Sequence, residues 1–151
     1  MSEFKSLEEI LDFAIEKERE AAEFYRYWAD KVSDKTLKQV FLRFAEEEEK
    51  HERKIREAKE GKATLKPRGE VMDLGISDLL IEIKPSENMD YQEALRVAMQ
   101  REKASFKLYT ELAEMAEDEN TRNLFLILAQ EEANHKLRLE TIYDDIVYSG
   151  N

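Results

Sequence analysis

The 151-residue chain has no cysteine. Disulfides, thiolate-bound metals and iron–sulfur clusters are therefore excluded, and a cytoplasmic home is expected. Glycine and proline are scarce, at 4 and 2 residues, while Glu, Lys, Arg, Ala and Leu abound; that balance favours long helices. No apolar run approaches the roughly 18–20 residues that a membrane helix needs. The opening MSEFKSLEEILDFAIEKERE has no basic stretch leading into an apolar one, so no signal peptide is expected. Basic residues are outnumbered, 24 Lys and Arg against 35 Asp and Glu, for a net charge of −11. Such a surface repels nucleic acid and anionic membranes, which attract Lys/Arg patches, and lets cations accumulate.

The length suits one domain over 1–151. Four amphipathic segments can be read from 3–4 spacing. The first begins at Ser6, with Glu9 three residues on as a capping box, and carries Ile10, Leu11, Ala14, Ala21, Tyr25 and Trp28 inward. The second follows a turn at Ser33–Lys35, turns Leu37, Val40, Phe41, Phe44 and Ile55 inward, and stops near Gly61. The third runs from about Asp90 to Ala116 with Leu95, Ala98, Phe106, Tyr109 and Leu112 inward; the fourth uses Phe125, Leu128, Leu137, Leu139 and Ile142. Between them, residues 62–89 hold both prolines and are too many for a hairpin turn, so they are expected to form a long crossover. Short turn, long crossover, short turn is a known four-helix-bundle topology.

The two halves repeat. A shift of 84 positions aligns Glu18 with Glu102, Tyr25 with Tyr109, Glu48 with Glu132 and His51 with His135, within 12 identities over the 41 positions from 11 to 51 and no gap. An internal duplication of a helix pair is the simplest account.

The stretch FAEEEEKHERK places four glutamates and one of only two histidines on the second helix. By helical phase Glu48 and His51 fall on the apolar stripe, whereas Glu46, Glu47 and Glu49 fall toward its flanks and water. Glu18, Glu102, Glu132 and His135 occupy the same phase on the other helices. Four buried carboxylates without partners are costly, and no Lys or Arg is expected on the inward stripes beside them. Two divalent ions would balance them, with both histidines neutral. Glu and His at i and i+3 share a helix face and can converge on one centre. A carboxylate-rich, imidazole-containing, thiolate-free set suits iron or manganese, with zinc able to occupy it. The bland alternative leaves the glutamates as a solvated charge run and the histidines as ordinary helix residues. Without metal, the four carboxyls are expected to be held above their ordinary pKa. Tyr25 and Tyr109 could donate hydrogen bonds to ligand carboxylates on a neighbouring helix, or pack as plain core aromatics.

One Glu on each of two helices plus Glu-x-x-His on the other two resembles the di-iron carboxylate arrangement of ferritin-like four-helix bundles. The stretches EREAAEFY, EKASFKLY, EEKH and EANH look most like the rubrerythrin branch, here a ferritin-like domain without the cysteine-bearing rubredoxin domain. The resemblance implies two iron ions, Glu18 and Glu102 as terminal ligands, Glu48 and Glu132 as bridges, and His51 and His135 each capping one metal. Rubrerythrins carry a further carboxylate one turn after the third-helix Glu. That position is Ser105 here, and its mate is Ala21. The set is thus a symmetric six, closer to bacterioferritin, and predicts two metal positions of similar chemistry.

The function implied is reaction of a di-iron pair with O2 or H2O2, as an oxidase or peroxidase, with catalysis carried by those six ligands and electrons from a separate donor protein. A ferroxidase or iron-storage protein is the alternative, and a metal-free helical interaction module a third reading. A homo-oligomer, a dimer, is expected.

Overall fold

The computed structural model describes residues 6–61 and 90–148. They form four helices, α1 Leu7–Lys31, α2 Lys35–Glu60, α3 Tyr91–Met115 and α4 Glu119–Tyr148, with no strand among the described residues. Each helix begins where a short polar side chain takes an otherwise unbonded N–H. Ser6 Oγ accepts from Glu9 N at 3.2 Å, Asp34 from Leu37 N at 2.9 Å, Asp90 from Glu93 N at 2.9 Å and Asp118 from Thr121 N at 2.7 Å. Such caps each contribute about 1 kcal/mol. Gly61 closes α2, its N–H bonded to the Glu57 carbonyl.

The apolar faces pack into two clusters, one toward each end of the bundle. One joins Ile10, Leu11 and Ala14 of α1 to Ile55 of α2, Leu108 and Leu112 of α3, and Phe125 and Leu128 of α4. The other joins Phe24 and Trp28 to Val40, Phe41 and Phe44, Leu95 and Ala98, and Leu139. The first cluster therefore takes the start of α1 and α4 but the end of α2 and α3. The chain leaves α2 at one end and re-enters α3 at the other, as a crossover topology requires. The crossover itself, expected over 62–89, lies outside the described residues. The result is a ferritin-like four-helix bundle.

Between the two clusters every helix carries polar residues. They are Glu18 on α1, Glu48 and His51 on α2, Arg101 and Glu102 on α3, and Glu132 and His135 on α4, none more than 3% exposed. This buried polar layer divides the core.

Two expected core residues lie outside. Phe106 is 42% exposed and Leu137 64% exposed. Leu137 follows His135 by two residues, about 200° around the helix, which turns it away from the bundle. Phe106 sits at the edge of the buried arc that runs through Glu102, Ser105 and Tyr109.

Candidate metal centre

The polar layer brings the six sequence-predicted ligands together. Ligand atoms of Glu18, Glu48, His51 and Glu132 lie within 4.8 Å of one another, and so do those of Glu48, Glu102, Glu132 and His135. Glu48 and Glu132 are common to both sets. His51 Nδ1 stands 2.9 Å from Glu18 Oε2, 3.1 Å from Glu48 Oε1 and 3.4 Å from Glu132 Oε1. His135 Nδ1 stands 3.2 Å from Glu102 Oε2, 3.7 Å from Glu132 Oε1 and 4.0 Å from Glu48 Oε2. The two rings are nearly parallel, with centroids 6.3 Å apart, and His135 stacks on Phe44.

The groups behind these side chains cross from one helix pair to the other. Tyr25 of α1 donates to Glu102 Oε2 of α3 at 2.5 Å, and Tyr109 of α3 donates to Glu18 Oε2 of α1 at 2.8 Å. The far ring nitrogens are anchored too. His51 Nε2 lies 2.7 Å from Glu131 Oε1, and His135 Nε2 lies 2.6 Å from Glu47 Oε1. A carboxylate on the far nitrogen fixes ring orientation and makes the near nitrogen a better ligand. Glu47 is therefore no bystander facing water: its side chain is 40% exposed, but its carboxylate reaches back to the partner pair's histidine. The length of a Glu side chain allows this from a flanking position.

The charge of the layer also departs from expectation. Arg101, expected nowhere on the inward stripes, is 3% exposed and lies among all four glutamates. It lies on the buried arc of α3, three residues after Ala98 and seven before Leu108. That spacing was the signal available in the sequence; a stripe through Leu95, Glu102 and Tyr109 runs along one side of the arc and leaves Arg101 out.

Electrostatics follow from this packing. Burial and the neighbouring carboxylates push Glu48 well above the ordinary carboxylate range, and burial with Glu132 raises Glu102. Glu132 departs from the expected rise. Burial pushes it up, but Arg101, His51 and His135 outweigh that and hold it below the usual range. Burial opposes the charged form of His135, yet Glu102, Glu47 and Glu48 overcome it and hold the ring up to about 11. His51 is raised likewise, against burial, by Glu131, Glu132, Glu18 and Glu48. Hydrogen bonds to the histidines lower Glu47 and Glu131. The layer gathers positive charge from whatever can carry it.

Among the described residues, Glu48 Oε1 and Glu132 Oε1 are buried with no hydrogen-bond partner. Buried orphan oxygens in native proteins call for an explanation. Here they belong to the two residues shared by both ligand sets and lie beside the Nδ1 atoms of both histidines. Carboxylate and imidazole donors in two overlapping four-residue sets fit a pair of divalent ions of the iron, manganese or zinc type.

A family model for rubrerythrin matches residues 9–143. The chain belongs to the rubrerythrin family. A solved structure described as a hypothetical protein from Pyrococcus furiosus is similar to this family member, with 28% identity, 95% of this chain and 91% of that chain covered, and a TM-score of 0.72. No curated protein matches. Among the described residues no helix is long and apolar enough to cross a membrane.

Proposed function

We propose that this rubrerythrin-family chain is a di-iron carboxylate oxidoreductase that reduces O2 or H2O2 with electrons from a separate donor protein. The observation that carries the reading is the pair of buried ligand sets sharing Glu48 and Glu132, each with an unpartnered oxygen. Glu18, Glu48, Glu132 and His51 would hold one ion, and Glu48, Glu102, Glu132 and His135 the other. The ions, when bound, supply the reducing electrons and Lewis acidity.

The protein's own part is to hold and insulate. Two apolar clusters cover the layer toward both ends of the bundle and exclude water from those directions. Tyr25 and Tyr109 orient Glu102 and Glu18 through their hydroxyls. Glu131 and Glu47 orient the rings of His51 and His135 and can accept a proton from Nε2. Ligation needs Nδ1 without its proton, so metal uptake should expel protons from the layer. Catalytic roles fall to the six ligands. The acidic chain, at −11, disfavours nucleic acid and anionic membrane as partners. A cytoplasmic homodimer completes the proposal.

Anaerobic loading with ferrous ion, followed by measured pulses of H2O2 or O2 and absorbance detection, tests the reading. Two ferrous ions should reduce one H2O2, taking up two protons and yielding two ferric ions and two waters. Failure to retain iron, or oxidation no faster than that of free ferrous ion, would overturn it. Native mass separates it from iron storage, which needs a large closed shell.

A further inference from the structure

Six ligands related by the duplication predict two equivalent metal positions. Arg101 breaks the equivalence. Its mate in the first half, Lys17, keeps clear of the layer and pairs with Glu20 of its own helix at 3.2 Å. Arg101 turns inward. Its Nη2 donates to Glu18 Oε1 at 2.7 Å and to the Lys17 carbonyl at 3.1 Å. Its Nη1 donates to Glu48 Oε2 at 2.7 Å and Glu132 Oε2 at 3.0 Å, and reaches Glu102 Oε1 at 3.4 Å.

The guanidinium thus holds one oxygen of each shared glutamate and leaves the other, Oε1, unpartnered. A carboxylate that bridges two ions offers an oxygen to each, so full occupancy by two ions competes with Arg101 for the Oε2 atoms. The two sides are not equally affected at the shared pair. His51 Nδ1 faces the free Oε1 atoms of both shared glutamates, and although Arg101 holds Glu18 Oε1, Glu18 Oε2 stays on His51 Nδ1 at 2.9 Å. His135 Nδ1 faces only one free shared oxygen, Glu132 Oε1 at 3.7 Å; its Glu48 neighbour is Oε2, which Arg101 holds.

We propose that Arg101 is a built-in competitor of the second metal ion: the first ion binds beside His51 with the guanidinium in place, and the second binds beside His135 only as the guanidinium releases Glu48 and Glu132. This inference rests on the metal-centre reading above. The two positions, alike in ligand type, then differ in affinity, and loading becomes ordered.

Calorimetric titration of the metal-free full chain with Mn2+ tests the order. The unsubstituted protein should bind in two steps separated by about tenfold or more, in the range of ordinary site–site coupling. Arg101→Gln should tighten the second step and bring the two together. Arg101→Lys keeps a charge but cannot span Glu18 and the shared pair at once, and should fall between. Independently of any variant, the Arg101 Nε–H resonance in 15N-arginine-labelled protein should hold through the first equivalent of Zn2+ and move during the second. Equal steps in the unsubstituted protein, an unchanged separation in Arg101→Gln and Arg101→Lys, or a resonance that moves wholly with the first ion would overturn the proposal. No binding of Mn2+ or Zn2+ by any of these proteins would instead sink the metal-centre reading.

Discussion

The two helix pairs share their candidate ligands but not what surrounds them. In α1–α2 the residue before the buried Glu18 is Lys17, whose ammonium stays at the rim over the Phe13 ring. In α3–α4 it is Arg101, buried in the layer with both Nη atoms bonded to its carboxylates. A lysine presents one compact charge, whereas the arginine fork can address several carboxylates at once. The outer faces differ as well. Exposed Arg43 and Arg53 of α2 correspond to exposed Ile127 and Leu137 of α4, and buried Ala22 of α1 to exposed Phe106 of α3. A duplicated scaffold has kept the residues that meet in the layer, Lys17 and Arg101 excepted, and diverged on its outer faces.

Substitutions separate the shared residues from those that differ between the helix pairs. The largest effect should come from the shared residues. Glu48→Ala and Glu132→Ala should each cost both ions, with metal content after dialysis falling by more than about 100-fold in retention, beyond the loss typical of supporting residues. His51→Ala and His135→Ala should each empty mainly one position. A histidine variant that removed both ions as completely as Glu48→Ala would show that the halves do not act as overlapping sets.

Next in size is the pH dependence of the metal-free protein. His135 is held up to about 11 from an ordinary 6.5, so its contribution is complete below 6.5 and is lost as pH rises toward 11. Glu48 and Glu102, raised above 4.5, act in the same direction because the fold disfavours their ionised forms. Glu132, held below 4.5, contributes above that value and loses its contribution as pH falls. Thermal melts should therefore peak between about 4.5 and 6.5 and decline toward alkaline pH. A metal-free protein that melted higher at about pH 8.5 than at about pH 5.5 would contradict this balance.

Smaller again are the crossed supports. Glu47→Gln and Glu131→Gln should weaken metal binding about 10-fold each, the lower end for groups that orient a ligand histidine. Glu49, which pairs with Arg26 at the surface, is the control, and Glu49→Ala should leave metal content unchanged. If Glu49→Ala stripped the metal as Glu48→Ala does, the helix phase of the whole site would be wrong. The smallest effect belongs to Tyr25→Phe and Tyr109→Phe. Each removes one buried hydrogen bond and should lower stability by about 1 kcal/mol, measured by denaturant melts.

Helical phase made the four helices and the six converging side chains legible, because a carboxylate on an apolar stripe contradicts the pattern around it; the caps at Ser6 and in the 33–35 turn were legible too, those at Asp90 and Asp118 were not. Helical phase did not reveal Glu47 and Glu131, whose Cα positions lie beside the stripe; only the reach of long side chains carries their charges inward. Arg101 shares the buried face with Ala94, Ala98 and Leu108, but an arginine there reads as surface until its carboxylate partners are known. Phase also overstated Phe106 and Leu137, since being apolar does not require burial.

The crossed hydrogen bonds have a consequence for how such a molecule could arise. Tyr25 meets Glu102 and Tyr109 meets Glu18; His51 meets Glu131 and His135 meets Glu47. Each contact is matched by the one obtained when both numbers are exchanged between halves. That reciprocity, residue i on j and j on i, is the signature of an isologous two-fold interface. The seam between the helix pairs has the grammar of a symmetric homodimer written into one chain. Joining the two copies freed each to mutate alone, and a single inward arginine, where strict symmetry would have forced two into the same space, became possible only then.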